Sequence, residues 1–192
     1  MIASLGTLSI LVALGAAVAM VIQGARHARD GSKAALRTPV VVFLVAALTA
    51  FVLLEIAILS HEFSISYVAN NTATTTPFIF LLAAGWAALE GSIVLWGVVL
   101  AIFSYLVWRK LGENDPLGVL ALAVMGGVSV FWFGLMATVA NPFAICTEVG
   151  NGICSATSWL PIGNPVGPAD GTGPNPLLAN HILMAVHPPL LY

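Results

Sequence analysis

Charged residues are scarce in this sequence, with six Lys or Arg and eight Asp or Glu among 192 positions. Soluble domains carry roughly a quarter charged residues, so these few cannot cover a surface that faces water. The shortage excludes an ordinary soluble domain and predicts an integral membrane protein. It also argues against a nucleic-acid partner, since binding phosphates requires clustered Lys and Arg on an accessible face.

Cysteine is almost as rare, with Cys146 and Cys154 as its two occurrences. They bracket "CTEVGNGIC", and no CxxC or CxxCH spacing is present, which argues against a zinc site and against covalent haem attachment to this chain. Both lie in a segment that we expect outside the membrane, where disulfides persist. The spacing favours a structural disulfide and leaves two unpaired cysteines as the alternative.

Long apolar runs are abundant, and four of them reach the roughly 20 residues that a membrane crossing needs. They cover about residues 2–22, 39–60, 77–108 and 117–140. The third run is too long for one straight span, so we interpret 77–89 as a lead-in that lies partly in the interface and 91–108 as the crossing. The predicted fold is an all-α integral membrane protein with four transmembrane helices and the start of a fifth. Residues 1–140 form the four-span region, 141–180 a long extracytoplasmic loop rich in Pro and Gly, and 181–192 lead into the next helix.

The basic residues fall on one side of this arrangement. By the positive-inside rule that side is cytoplasmic, which places the N-terminus, residues 61–76 and everything after 141 outside. The first run lacks a basic n-region and a cleavage site, so we expect a retained span and not a signal peptide. The expected location is the inner (cytoplasmic) membrane, or an organellar inner membrane. The six residues are Arg26, Arg29, Lys33, Arg37, Arg109 and Lys110.

Two carboxyl groups, Glu55 and Glu90, lie inside apolar runs. A carboxyl near the bilayer centre costs about 3 kcal/mol on insertion scales, so each is a functional candidate. The alternative is a carboxyl that reaches interfacial water, because both lie towards the outer ends of their spans. Trp86 is four residues before Glu90, which predicts that the two share one helical face.

The four histidines differ as candidate ligands of a metal or a haem iron. His27 is predicted to be a solvated loop residue, and His61 a polar cap at the end of the second span, with ligation as the alternative. His181 and His187 are six residues apart, so they cannot face one ligand from a regular helix. Pro188 disfavours the α conformation at His187 and suits the first turn of a new helix. We therefore expect a kinked junction where His187 is either a metal or haem-iron ligand or a polar interface residue.

Three stretches resemble one known family. They are "FSISYVANNTATTTPFIFLLAAGWAALEGSIVLW", the Asn141-Pro142 pair after the fourth span, and "GPNPLLANHILMAVHPPLLY". Together they resemble the N-terminal third of the cytochrome c-type biogenesis protein CcmF, a membrane haem lyase of the superfamily that includes CcsA and NrfE. The resemblance implies haem transfer from a chaperone of the CcmE type. It also implies a CcmH-type protein that presents apocytochrome c, whose CxxCH cysteines are joined to haem by thioether bonds.

Carried over by position, the histidine of the family's HPP motif matches His187, which the resemblance makes an axial ligand of haem b. His181 matches a position just before this motif, for which the resemblance implies a structural role more than a ligand role. Trp86 and Glu90 match the WAALEGS stretch, for which the resemblance supplies no catalytic role, so both stay weaker candidates for cofactor binding. The family's tryptophan-rich WWD segment, its second outside histidine and two transmembrane histidines that hold a further structural haem would all lie downstream of Tyr192. We therefore expect a fragment or the product of a split gene, inactive without a downstream partner.

Three hypotheses follow. In the first, the chain is the N-terminal part or a split subunit of a haem lyase. In the second, it is a non-catalytic scaffold that docks a haem chaperone or an apocytochrome through its outside loops. In the third, it is a transporter subunit with Glu55 and Glu90 as a relay, which is disfavoured because both carboxyls lie near one side.

Overall fold

A computed structural model describes residues 1–191 except 157, 159, 178 and 180, and it describes the backbone but not the side chains of 187–189 and 191. Within these residues the chain is mainly helical, with one small antiparallel sheet. The elements are α1 (Ile2–Asp30), α2 (Arg37–Leu59), α3 (Ser66–Asn71), α4 (Phe78–Ala87), α5 (Leu89–Leu111), α6 (Pro116–Met136), β1 (Glu148–Gly150), β2 (Ile153–Ser155) and α7 (Leu183–Leu191).

Four of these helices, α1, α2, α5 and α6, are long and apolar enough to cross a membrane. The predicted multi-pass helical membrane fold is confirmed. The helix ends differ from the ends of the apolar runs, because a run marks the membrane-facing part and a helix continues until a cap stops it. Thus α1 continues through polar residues to Asp30, where Gly31 has a left-handed φ of 62° and donates its N–H to the carbonyl of His27.

The four long helices form a ring in which α1 packs on α2 and α6, and α5 packs on the same two helices. Small residues bring α1 and α6 together, because Gly24 lies directly against the side chain of Ala123. The bundle core is mainly aliphatic, and within it Phe43 and Phe133 form an edge-to-face contact at 5.2 Å between centroids.

The third apolar run is divided at Ala88, as its length suggested. Ala88 has an extended backbone (φ −115°, ψ 171°), so α4 ends before it and α5 begins after it. Helix α4 has ten residues, too few to span a bilayer. It is therefore α5 alone that provides the third crossing.

The connections lie on two faces of the bundle. We call the face with the N-terminus, residues 60–77 and residues 137–182 the loop face, and the face with residues 31–36 and 112–115 the basic face. On the loop face, Phe143 is fully buried against Gly6, and the side-chain amide of Asn141 donates to the hydroxyl of Thr7 at 3.2 Å. The Asn-Pro pair after the last span therefore fastens the long loop onto the bundle.

The long loop contains regular structure that the predicted all-α fold did not include. Strands β1 and β2 pair antiparallel, with Val149 opposite Cys154. At the far end of the loop, the nine-residue helix α7 occupies the position predicted for the start of a fifth helix, and it contacts α4.

Candidate functional site

The junction between α4 and α5 places Trp86 and Glu90 on different helices. The prediction that they share one helical face is therefore wrong, because the extended residue Ala88 interrupts the helical spacing. The hydroxyl of Ser92 donates to the carbonyl of Trp86 at 2.8 Å, across the break. It also donates at 2.9 Å to the carbonyl of Ala88, which accepts the backbone N–H of Ser92 as well.

Glu90 lies half-buried in the first turn of α5, where the free N–H groups of a helix favour a negative charge. It borders a polar cavity of about 520 Å³ on the loop face. Amide, hydroxyl and carboxyl groups supply most of its polar lining, so the cavity suits a ligand that forms hydrogen bonds. Its polar residues are Ser66, Tyr67, Asn70, Asn71, Glu90, Thr138, Asn141 and Ser158.

Tyr67, on the short helix α3, lines this cavity and also contacts residues on both sides of the break between α4 and α5. Its hydroxyl donates to the carbonyl of Ala84 at 2.6 Å and lies against Gly91, where a Cβ would come within 2.3 Å of it. Burial, with a smaller effect of the nearby Glu90 carboxylate, raises the pKa of Tyr67 above its usual range. Tyr67 therefore remains a neutral hydrogen-bond donor that holds α3 against the end of α4.

The hairpin of β1 and β2 is fastened to α3 by one side chain. Asn70 accepts the N–H of Cys154 through Oδ1 and donates to the carbonyl of the same residue through Nδ2, both at 2.8 Å. In this way the amide pairs with the strand as a neighbouring strand would. Cys154 is disulfide-bonded to Cys146, with Cα atoms 5.5 Å apart, and both residues are buried.

A second fastening joins the loop to residues 73–76. The Asp170 carboxylate accepts the backbone N–H of Thr74 at 2.9 Å and its hydroxyl at 2.8 Å. These two hydrogen bonds lower the pKa of Asp170 below its usual range. The adjacent Gly171 has no room for a side chain, since a Cβ there would lie 1.9 Å from the carbonyl oxygen of Thr72.

Helix α7 begins at Leu183, before the two prolines. The expected break at His187, with a new helix from Pro188, is therefore wrong for the backbone. The helix is supported from outside, because Met184 is buried and the indole N–H of Trp86 donates to the carbonyl of Ala185 at 2.8 Å. These contacts hold a conformation that the sequence Ala-Val-His-Pro-Pro disfavours.

The two histidines of this segment have different surroundings. His181 is exposed and accepts the N–H of Leu183 through Nδ1 at 3.2 Å, so its imidazole supports the start of α7. The backbone of His187 belongs to α7 on the loop face, while its side chain lies outside the described part of the structure. The assignment of His187 as a haem ligand therefore stays a prediction.

Two further candidates lie near the loop face. Both carboxylate oxygens of Glu55 are buried and have no hydrogen-bond partner among the described residues, and the same is true of Nε2 of His61. His61 has a left-handed φ of 52°, and it and Glu62 donate their N–H groups back to Ile58 and Ala57. This is a Schellman cap, so a structural role explains the backbone of His61.

The remaining candidate, His27, lies near the basic face and contacts the carbonyl of Ser32 through Nδ1 at 2.9 Å. Among the residues that the structure describes, no group of three His, Cys, Asp or Glu could hold a metal ion. The described residues thus offer single candidate ligands and not a ready metal centre.

Sequence reasoning missed the residues that organise the loop face, above all Tyr67 and Asn70. Both stand in the polar segment before α4, and nothing in their spacing indicates which backbone groups they would meet. The one available signal was the concentration of Asn and Thr in a stretch without Lys or Arg.

Four helices that are long and apolar enough to cross a membrane, with a disulfide-bonded loop and a docked helix on one face, define a multi-pass membrane protein. No family model matches the sequence. Individual relatives do, and they are cytochrome c biogenesis proteins. The chain is 35% identical over 147 residues to CcmF of Pseudomonas fluorescens, covering 76% of this chain and 19% of the relative. It is 32% identical over 197 residues to CcmF of Haemophilus influenzae, covering 100% of this chain and 28% of the relative.

A solved structure of the cytochrome c haem lyase CcmF superposes on the chain with a TM-score of 0.75 and 35% identity, over 100% of this chain and 28% of the other. The chain is therefore a member of the CcmF family of cytochrome c-type biogenesis proteins. It spans about a quarter of the length of the relatives it matches along its whole length.

Proposed function

We propose that this chain is the N-terminal part or a split subunit of a cytochrome c haem lyase, which presents haem for thioether attachment to apocytochrome c. The observation that supports this is the docking of α7 on α4 through Trp86 and Ala185. These residues come from the two longest stretches that resemble the family, and the contact joins them on the loop face.

In this proposal the protein lies in the inner membrane with its N-terminus and loop face outside. The distribution of charge supports the orientation, because every Lys and Arg of the chain lies in the half of the bundle towards the basic face. A disulfide on the loop face agrees with it, since disulfides persist outside the cytoplasm.

The substrate haem is haem b, and His187 is the residue of this chain that would bind its iron, as histidine does in many haem proteins. Attachment adds the S–H of each apocytochrome thiol across a vinyl group, so sulfur bonds to one carbon and hydrogen to the other without net oxidation. Holding the haem beside the thiols lowers the barrier by several kcal/mol through proximity. A second, structural haem would need parts of the relatives that this chain does not match.

The proposed partners are a CcmE-type haem chaperone, a CcmH-type protein with its apocytochrome c, and the downstream part of the lyase. The polar cavity beside Glu90 and Asn70 is the place on the loop face where a hydrogen-bonding partner segment fits. Weaker contributions to haem contact are proposed for Trp86, Glu90 and His181.

The test is the visible absorption spectrum of the chain, purified alone and after co-expression with the part of a CcmF relative that it does not match. We expect a Soret band in the complex that shifts or disappears in His187→Ala. His27→Ala, which changes a histidine near the basic face, is the matched control and keeps the band. If the complex with alanine at 187 has an unchanged spectrum and still matures cytochrome c, His187 is not the ligand.

A non-catalytic scaffold is the second candidate function. The observation that favours it is the firm attachment of the loop, through Asn70, Asp170 and the disulfide, which gives a docking partner a fixed surface. On this alternative, cytochrome maturation survives His187→Ala and is lost when residues 148–155 are replaced by a short Gly-Ser turn. The lyase proposal expects loss in both variants.

A further inference from the structure

The two prolines of α7 leave two of its carbonyl groups without helical partners. In an α-helix the carbonyl of one residue accepts the N–H of the residue four positions later. Proline has no N–H, so Pro188 deprives the carbonyl of Met184 of its partner, and Pro189 does the same to Ala185. A helix in this position needs donors from elsewhere in the molecule.

Trp86 supplies one such donor. Its indole N–H, the single polar group of the side chain, donates to the carbonyl of Ala185 at 2.8 Å across the contact between α4 and α7. The ring is half-buried against the hydrophobic core, as is Ala185. The bond therefore joins a rigid, packed group to the carbonyl that Pro189 leaves open.

A proline disfavours the α conformation at the residue before it. His187 directly precedes Pro188 and is nevertheless part of α7. A helix at this position depends on contacts outside itself. The described contacts that fix α7 are the Trp86 bond, burial of Met184, and the support of its first turn by His181.

We propose that Trp86 is a positioning residue, which holds the His-Pro-Pro segment helical and fixed on α4 so that position 187 is presented at one place on the loop face. The proposal rests on the haem-lyase function proposed above and adds to it how position 187 is placed. The placement of α7 itself can be measured without haem. This role is exerted through the backbone of α7 and is separate from any contact of the Trp86 ring with haem.

The decisive experiment is a double-mutant cycle between Trp86→Phe and Pro189→Ala, read by hydrogen–deuterium exchange of residues 182–187 in the full chain in lipid nanodiscs. Phenylalanine keeps an aromatic ring and removes the donor. Losing one hydrogen bond is expected to speed exchange in this segment about fivefold. Alanine at 189 restores an N–H that can take over the carbonyl of Ala185, so in that background Trp86→Phe should change exchange less than twofold.

Trp96→Phe is the matched control, because Trp96 lies in the cavity between α5 and α6, and it should leave exchange of 182–187 unchanged. If Trp86→Phe also leaves exchange unchanged, or if its effect is equally large with alanine at 189, the positioning role is wrong. The haem spectrum of the complex with the downstream part is the second measurement. Here Trp86→Phe should shift the Soret band in the same direction as His187→Ala.

The two proposals fail in different ways. A Soret band that is insensitive to His187→Ala, together with faster exchange in Trp86→Phe, removes the haem-ligand role and supports the placement of α7 by Trp86. A band that responds to His187→Ala, with exchange and spectrum indifferent to Trp86→Phe, keeps the lyase proposal and overturns the positioning role.

Discussion

The carboxyl group of Glu55 on α2 lies directly against the backbone of Gly85 on α4. A Cβ built at position 85 would come within 1.9 Å of Oε1, and neither carboxylate oxygen has a partner among the described residues. Helix α4 can therefore approach α2 only because residue 85 has no side chain. The contact explains why a short helix that cannot span a membrane is held so close to the bundle.

We predict that Gly85→Ala destabilises the protein by about 1–3 kcal/mol, because it forces the Glu55 carboxyl out of its place. The measurement is thermal unfolding in detergent, followed by the loss of the monodisperse peak in gel filtration. Shortening the opposing side chain should relieve the clash, so Gly85→Ala combined with Glu55→Ala should be more stable than Gly85→Ala combined with wild-type Glu55. Equal losses in both backgrounds would contradict the steric explanation.

The close approach of α1 and α6 gives a second prediction. A Cβ at Gly24 would lie 2.2 Å from that of Ala123, whereas a Cβ at Gly15 on the same helix would meet nothing within 4 Å. Gly24→Ala should therefore lower the free energy of unfolding by about 1–3 kcal/mol, as overpacking does. Gly15→Ala should leave it unchanged or raise it, since alanine favours a helix. The same detergent unfolding measurement compares the two variants, and similar effects of both would exclude a packing origin.

Hydropathy alone predicted the four crossings and the division of the third run, because long apolar segments have few alternatives in a bilayer. The place of that division was predicted at residues 89–91, close to the observed break at Ala88, but the extended conformation there was not predictable. The local sequence Trp-Ala-Ala-Leu-Glu favours a helix, and the break at Ala88 is decided by tertiary contacts, such as the bond from Tyr67 to Ala84.

For the hydrogen bond between Trp86 and Ala185, the sequence indicated the acceptor but not the donor. Pro189 shows that the carbonyl of Ala185 lacks a helical partner, but a chain position cannot reveal that a donor 99 residues away would occupy it. The pre-proline rule gave the wrong backbone conformation at His187, since docking on α4 outweighs a local preference. Resemblance identified the family, and physical pattern alone had reached only a membrane protein with candidate ligands.

The amide of Asn70 should protect the disulfide of the hairpin. It forms two hydrogen bonds with the backbone of Cys154, and together they hold the strand on α3. Asn70→Ala removes both bonds, and we expect reduction of Cys146–Cys154 by a phosphine to become about 5–30 times faster, because loss of about 1–2 kcal/mol opens the hairpin more often. Alkylation and mass spectrometry follow the free thiols.

Asn71→Ala is the matched control, since the amide of Asn71 donates to the carbonyl of Tyr67 within the same helix. In Asn71→Ala, the rate at which the Cys146–Cys154 disulfide is reduced should stay within about twofold of wild type. Faster reduction in Asn71→Ala than in Asn70→Ala would show that general loosening of α3, and not the clamp on Cys154, controls access to the disulfide.

The contact between Asp170 and Thr74 should respond to pH only in acid. The two hydrogen bonds from Thr74 lower the pKa of Asp170 below its usual value of 3.8. A carboxyl whose pKa is lower in the folded state stabilises the fold above its unfolded pKa, and the contribution is lost as pH falls through the folded value.

We therefore expect exchange of the Thr74 amide to be slow relative to its intrinsic rate, with a constant protection factor between pH 5 and 8. This protection should fall as pH drops below 3.8. Asp170→Asn should lower it between pH 5 and 8, while Asp30→Asn, which changes an exposed pair with Arg29 near the basic face, should leave it intact. A protection factor that changes between pH 5 and 8 would contradict the assignment of this pH response to Asp170.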